Sequence, residues 1–270
     1  MALRLLVADS AAEREAARAV EAAVFLQAFG NTPEVMAEEY GPYEDRSRFV
    51  AVVDDATGSA LGVARLVFPD DDGVLKTLLD VAGDPWHLPV PETLRAAGLT
   101  GGPVWDVASL AVDRRFRSGA GGAEVMLALC HGIYRYTLFS GVEGLVTILD
   151  DRVLRLVRRM GGPWAPMAGA ASAEYLGSPA STPCICRVDA IAPSIRSRRP
   201  DLAPAVADGE LWSITVDPAD LLPGRGGPVP SALPPRMDPP ARRDTSGWAP
   251  PARRRPDAHL GVRSPSAQLP

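Results

Sequence analysis

The residues best suited to chemistry run Arg114-Arg115-Phe116-Arg117-Ser118-Gly119-Ala120-Gly121-Gly122. They follow an apolar run, Val104-Trp105-Asp106-Val107-Ala108-Ser109-Leu110-Ala111-Val112, and precede a long helical pattern. A glycine-rich turn that opens a helix presents backbone N–H groups with no intrahelical acceptor, and the arginines add positive charge. That combination suits an anion, above all a phosphate. The turn lacks the Gly-Lys-Ser/Thr ending of a nucleotide P-loop and the GxGxxG spacing of a dinucleotide fold, and no acid ends a second strand about 20 residues on. GTPase, kinase and dehydrogenase chemistries are therefore disfavoured. A turn that only eases helix packing would use the same glycines, so both readings stay open.

Other reactive side chains point to less. Cys130 falls on an apolar helical face and reads as core. Cys184 and Cys186 alternate along a short apolar run without further metal ligands. His87, His131 and His259 form no triad pattern. Asp70-Asp71-Asp72 has no accompanying cluster with ligand spacing, so no metal is expected. Arg152, Arg155, Arg158 and Arg159 read as a solvated helix face.

The elements that must position the turn are legible. Leu3 to Ala8 is a first strand. Ser10 and Glu13 make a capping box for a helix to about Ala28, with Val20, Ala23, Val24 and Gln27 on one face and Gly30 at its end. Pro33 opens a short helix to Tyr40, which Gly41-Pro42 breaks. Phe49 to Val53 and Leu61 to Phe68 form a hairpin. Short helices are expected at Val74 to Asp80 and Pro91 to Ala97. A helix from Ala120 to Leu138 carries Val125, Leu129, Ile133 and Tyr136 on its inner face. Leu145 to Leu149 is a strand. The helix after Asp150 and Asp151 buries Val153, Leu156, Val157 and Met160. Tyr175, Cys184 to Val188 and Leu211 to Val216 mark further strands. The order is that of a mixed α/β domain.

Composition sets the limits. Residues 223 to 270 hold 12 prolines and eight arginines against three acids, so this stretch is expected as a disordered tail. The chain's net charge of −5 leaves residues 1 to 222 strongly acidic, which argues against nonspecific nucleic-acid binding there. Three cysteines without scaffold spacing, and a start that lacks a basic leader, suggest a reducing, cytoplasmic setting. No apolar run approaches the roughly 18 residues of a membrane span.

The turn Arg117-Ser118-Gly119-Ala120-Gly121-Gly122 resembles the acyl-thioester loop of the GNAT N-acyltransferases, Arg/Gln-x-x-Gly-x-Gly/Ala, with Ala120 at a position where that family prefers glycine. The element order over residues 1 to 190 is similar as well. Ala23-Val24-Phe25, Tyr43-Glu44-Asp45, Gly62-Val63-Ala64-Arg65-Leu66, Val104-Trp105-Asp106 and Arg158-Arg159-Met160-Gly161-Gly162 make the chain look most like the autoinducer synthase and N-acyl amino acid synthase branch. That branch usually reads Trp-Glu-x-Ser-Arg where this chain has Trp105-Asp106-Val107-Ala108-Ser109, and its tryptophan near residues 30 to 36 is missing.

The resemblance implies a GNAT-like mixed sheet flanked by helices over residues 1–190, a C-terminal extension at 191–222, and the tail at 223–270. It implies acyl transfer from acyl-CoA, acetyl-CoA or an acyl carrier protein to a small amine or amino acid. Asp106 is the first candidate general base and Glu44 the second. Backbone N–H groups of Leu110, Ala111 and Val112 would polarise the thioester carbonyl. Arg117, Ser118, Gly119, Ala120, Gly121 and Gly122 would hold the phosphate arm. The competing readings are a scaffold that binds thioesters without turnover, and an acetyltransferase acting on a protein or small amine. Asp106 paired structurally with Arg65 is the plain alternative to a catalytic role.

Overall fold

A computed structural model describes residues 2–99, 101–117 and 119–223. The expected tail lies outside these residues, Pro223 apart, as does Ser118.

The first strand, β1 (Leu3–Val7), leads into α1 (Ala11–Phe29) through the expected capping box: Ser10 accepts from the Glu13 N–H, and the Glu13 carboxylate accepts from the Ser10 N–H. The predicted inner face of this helix is rotated. Ala17, Glu21 and Val24 are its buried residues, while Ala23 and Gln27 are exposed. A charged residue thus occupies the apolar stripe, for a reason found on the strands beneath it. α2 (Pro33–Tyr40) continues as a 3-10 turn over Gly41–Arg46, so Gly41-Pro42 tightens the helix instead of ending it.

β2 (Ser47–Asp54) and β3 (Ala60–Val67) form the hairpin. α3 (Lys76–Ala82) and α4 (Val90–Ala96) fill the insertion ahead of β4 (Val104–Val112). Asp70 accepts from the N–H groups of Asp72 and Val74 and pairs with Arg46, so it caps its own turn. α5 (Gly119–Phe139), β5 (Gly144–Asp150) and α6 (Asp151–Arg159) follow. In α6 it is Leu154 and Val157 that are buried, and Leu156 faces outward. The remaining elements are β6 (Ala165–Pro166), β7 (Ala173–Tyr175), β8 (Ser178–Arg187), α7 (Ile191–Arg198) and β9 (Ile214–Val216). β8 is twice the length that its apolar run suggested, because its first half is polar and pairs with β5 and β7.

Among the described residues the strands form one mixed sheet in the order β6-β8-β5-β4-β3-β2-β1-β9, with β7 also on β8. The centre is antiparallel, but β4 and β5 run parallel, as do β1 and β9. α5 and α7 cover one face, where Leu66, Trp105, Val125, Leu129 and Tyr136 pack together. α1 covers part of the other, over Leu6, Phe49, Ala51 and Val63. α3 and α4 cover the rest with Leu75, Val81 and Leu88. Burying each such large side chain contributes about 1.5–3 kcal/mol, which offsets the ordering of the backbone. No helix among the described residues is long and apolar enough to cross a membrane.

Candidate active site

Two strands that should stay paired come apart at the centre of this sheet. β4 and β5 are in register only from Val104/Gly144 to Asp106/Val146. Beyond that point β4 stays on β3 as far as Val112, and β5 stays on β8 as far as Asp150. The gap between them is a cleft lined on its two sides by Val107–Leu110 and Thr147–Asp150. A bulge starts the divergence: Arg65 faces Ser109 while Leu66 faces Val107, leaving Ala108 as the extra residue. The Ala108 carbonyl accepts from Tyr40 Oη at 3.0 Å, and Thr147 Oγ1 donates to the Val107 carbonyl at 2.7 Å.

The ladder decides which amides face the gap. Asp113 N–H donates to the Leu61 carbonyl at 2.8 Å, and Val112 lies opposite Gly62. In an antiparallel pair the backbone groups of alternate residues point to the partner strand. Ala111, opposite Val63, therefore spends its N–H on β3, whereas Leu110 and Val112 turn theirs toward the gap. Of the three amides expected to polarise a carbonyl, that of Ala111 does not face the gap.

The basic turn and the start of α5 follow the end of β4; among the described residues they do not line the cleft itself. Arg117 Nε donates to the Val112 carbonyl at 2.7 Å, which folds the basic turn back onto the strand end. Gly119 has φ +74°, a left-handed conformation that favours glycine, and Gly121 is exposed. A Cβ on Gly122 would lie 1.9 Å from the Phe116 carbonyl oxygen. Glycine here is what lets helix and turn meet, so the packing role weighed for this turn is real. Gly122→Ala must therefore push the turn off the helix end. If the turn holds a phosphate, as its sequence suggests, Gly122→Ala should weaken coenzyme A binding at least tenfold while unfolding remains cooperative, as titration calorimetry and thermal melts would show; unchanged affinity would remove the turn from the site.

The two expected bases have different fates. Asp106 is fully buried and does not line the cleft. Its carboxylate accepts from Thr77 N–H at 2.7 Å and Thr77 Oγ1 at 2.8 Å, pinning α3 to β4. Burial pushes its pKa up to about 6, against the opposing hydrogen bonds from Thr77. The pairing with Arg65 weighed for it is absent. Glu44 is partly exposed and pairs with Arg65 at 2.8 Å and with Arg18. Burial raises its pKa, but the bonds and charges of the two arginines outweigh that and hold the carboxyl below its usual range.

Arg65 instead clasps Glu21. Its Nε lies 3.0 Å from Glu21 Oε1 and its Nη2 2.6 Å from Oε2, with both side chains almost completely buried. Ser109 Oγ donates to the same carboxylate. Sequence reading missed this pair, yet one signal was present: Glu21 lies four residues after Ala17 and three before Val24, on the apolar stripe of α1. Also missed was Lys76, the only lysine, buried between the Tyr40 and Tyr175 rings and paired with Asp80 at 2.7 Å and Glu39 at 2.9 Å. Tyr40 and Tyr175 line one end of the cleft together with Phe25 and Phe29. Cys130, Ile133, Val157 and Trp164 line the other, and continue into an apolar pocket that reaches Met160, Ile191 and Ile195. Burial pushes the Cys130 thiol up to about 12, as suits a wall residue.

This mixed sheet, parted between a parallel central pair, is a GNAT-like fold. The structure of FeeM, an N-acyl amino acid synthase from uncultured soil microbes, superposes with a TM-score of 0.53 at 13% identity, over 73% of this chain and 97% of that one. BjaI, a CoA-dependent acyl-homoserine lactone synthase solved with SAM and isopentyl-CoA, gives 0.47 at 16% identity, over 80% and 93%. An acetyltransferase from Corynebacterium glutamicum gives 0.39 at 17%, over 68% and 96%. No protein-family model and no curated protein sequence matches the chain.

Proposed function

We propose that the protein is an N-acyltransferase that moves an acyl group from a thioester, carried by coenzyme A or an acyl carrier protein, to the amine of a small molecule or amino acid. One observation carries this: β4 and β5 part after Asp106 and Val146, and the alternation of the β3–β4 ladder turns the amides of Leu110 and Val112 toward the gap, on the strand that leads into α5. A pantetheine arm is an extended chain of amides, and a gap between two strands offers it backbone partners. Arg117 and the Gly119–Gly122 turn hold the phosphate end, where the helix N-terminus favours negative charge. The Leu110 amide polarises the thioester carbonyl as charge develops on its oxygen. The apolar pocket beyond Cys130 and Trp164 receives the acyl chain.

The sealing of Asp106 favours one alternative, a scaffold that holds the thioester without turning it over. Thermal melts with acetyl-CoA, decanoyl-CoA and decanoyl carrier protein, followed by thiol release with a panel of amino acids, separate the two. A donor at about a hundred times its Kd stabilises by about 2.7 kcal/mol, a rise in Tm of about 5–10 °C for a domain of this size. Stabilisation with thiol release supports the enzyme. Stabilisation without it leaves the scaffold, and no stabilisation by any donor refutes both.

A further inference from the structure

We propose that Ser109 is the catalytic residue that takes the proton from the attacking amine, with Glu21 as the positioning residue that receives the proton of Ser109 in turn. The inference rests on the acyltransferase reading above and assigns its missing base. Four carboxylates stand at or near the cleft wall. Asp150 lines it, but its oxygens accept from the Arg152 guanidinium and from Ser178 Oγ, and the Arg152 bonds hold its carboxyl well below the usual range. Asp106 has both oxygens tied to Thr77 and does not reach the cleft. Glu44 and Glu21 both line the neighbouring pocket, where Glu44 is tied to Arg18 and Arg65 and has no bond to a cleft residue among those described. Glu21 remains, and it touches the cleft through Ser109, whose hydroxyl it accepts.

Ser109 follows the bulged Ala108 and precedes Leu110, and both Ser109 and Leu110 line the cleft. A two-sided clasp by Arg65 fixes the Glu21 carboxylate at 3.0 and 2.6 Å and leaves Oε1 also accepting from Ser109. Arg65 divides its charge between Glu21 and Glu44, and Arg18 answers Glu44, so the four charges balance. Such a cluster can take up one proton without stranding a lone buried charge.

The neutral amine adds to the thioester carbonyl, forming the C–N bond and placing the negative charge on oxygen. The ammonium proton passes to Ser109 Oγ while the Ser109 proton passes to Glu21 Oε1. As the carbonyl re-forms, the C–S bond breaks and its electron pair leaves on sulfur. The proton returns from Glu21 through Ser109 to the thiolate, so amine and thioester become amide and thiol.

The test uses the full chain with decanoyl-CoA and hydroxylamine, a small amine that is uncharged near neutral pH. Donor binding is read by thermal melts and hydroxamate formation by rate. Ser109→Ala and Glu21→Gln are expected to lower kcat about a hundredfold, with the donor KM within about twofold of wild type. They are also expected to lose the acid limb of the wild-type pH–rate profile. Ser109→Thr and Glu21→Asp, which keep the hydroxyl and the carboxylate, restore rate and limb in part. A Ser109→Ala protein that keeps its rate and pH profile overturns the relay, as does a wild type that binds decanoyl-CoA yet does not accelerate hydroxamate formation. A decanoyl mass on Ser109 in intact-protein spectra overturns it too, since the hydroxyl would then be a nucleophile. Absence of any donor binding refutes the acyltransferase reading itself, and that arm is read before any variant is made.

Discussion

An Arg65→Met protein is expected to lose about 3–5 kcal/mol of stability at neutral pH, which for a domain of this size lowers Tm by about 10 °C or more. The reason lies in what the substitution leaves behind. Arg65 is 3% exposed and Glu21 2%, and the guanidinium supplies three of the contacts that satisfy the Glu21 carboxylate. Methionine fills much of the volume but none of the charge, so Glu21 is left as a buried anion whose remaining hydrogen-bond donor among the described residues is Ser109. A buried carboxylate without its cation is costly only while it is charged, so the deficit at pH 8 should exceed that at pH 5. Urea unfolding at the two pH values measures this. Equal deficits at both, or a loss below about 1 kcal/mol, would mean that the cluster is solvated in a way its geometry does not suggest. Adding Glu21→Leu removes the stranded charge and should recover much of the stability without recovering hydroxamate formation.

Asp106→Asn should do the reverse. Its carboxyl is fully buried, and burial raises its pKa to about 6 from 3.8. A group raised in the folded state contributes stability that is complete below its unfolded pKa and is lost as pH rises through the folded one. For Asp106 that window runs from about pH 4 to pH 6, and the loss across it is on the order of 2–3 kcal/mol. Asparagine stays neutral throughout. Its oxygen accepts the Thr77 N–H, and its amide donates to the Thr77 hydroxyl, which rotates to accept. The variant should therefore lack this pH dependence and equal or exceed wild type in stability at pH 7, in denaturant titrations across that range. It should also keep its hydroxamate rate within about threefold. Removing a true general base costs about a hundredfold or more, so a collapse in rate would return Asp106 to the role its neighbourhood in the sequence suggested.

What the sequence by itself determined is the part governed by local forces. The Ser10/Glu13 box, the Asp150 cap of α6, the hairpin and the inner face of α5 depend on residues within a few positions of one another, where spacing alone sets contact. The Arg117–Gly122 turn belongs here too, since its glycines answer a backbone constraint at the start of one helix. Tertiary structure alone decided which carboxylate meets the cleft. Ser109 and Glu21 are 88 residues apart, and Arg65 lies 44 from Glu21. No local pattern says that α1 crosses β3 and β4 at that height. Asp106 and Ser109 lie three positions apart on one strand, but the bulge at Ala108 and the cover above each set their surroundings. α3 and Thr77 seal the first; α1 leaves the second beside the gap. A carboxylate's chemistry follows its solvation and partners more than its type, and those are fixed only when distant elements pack.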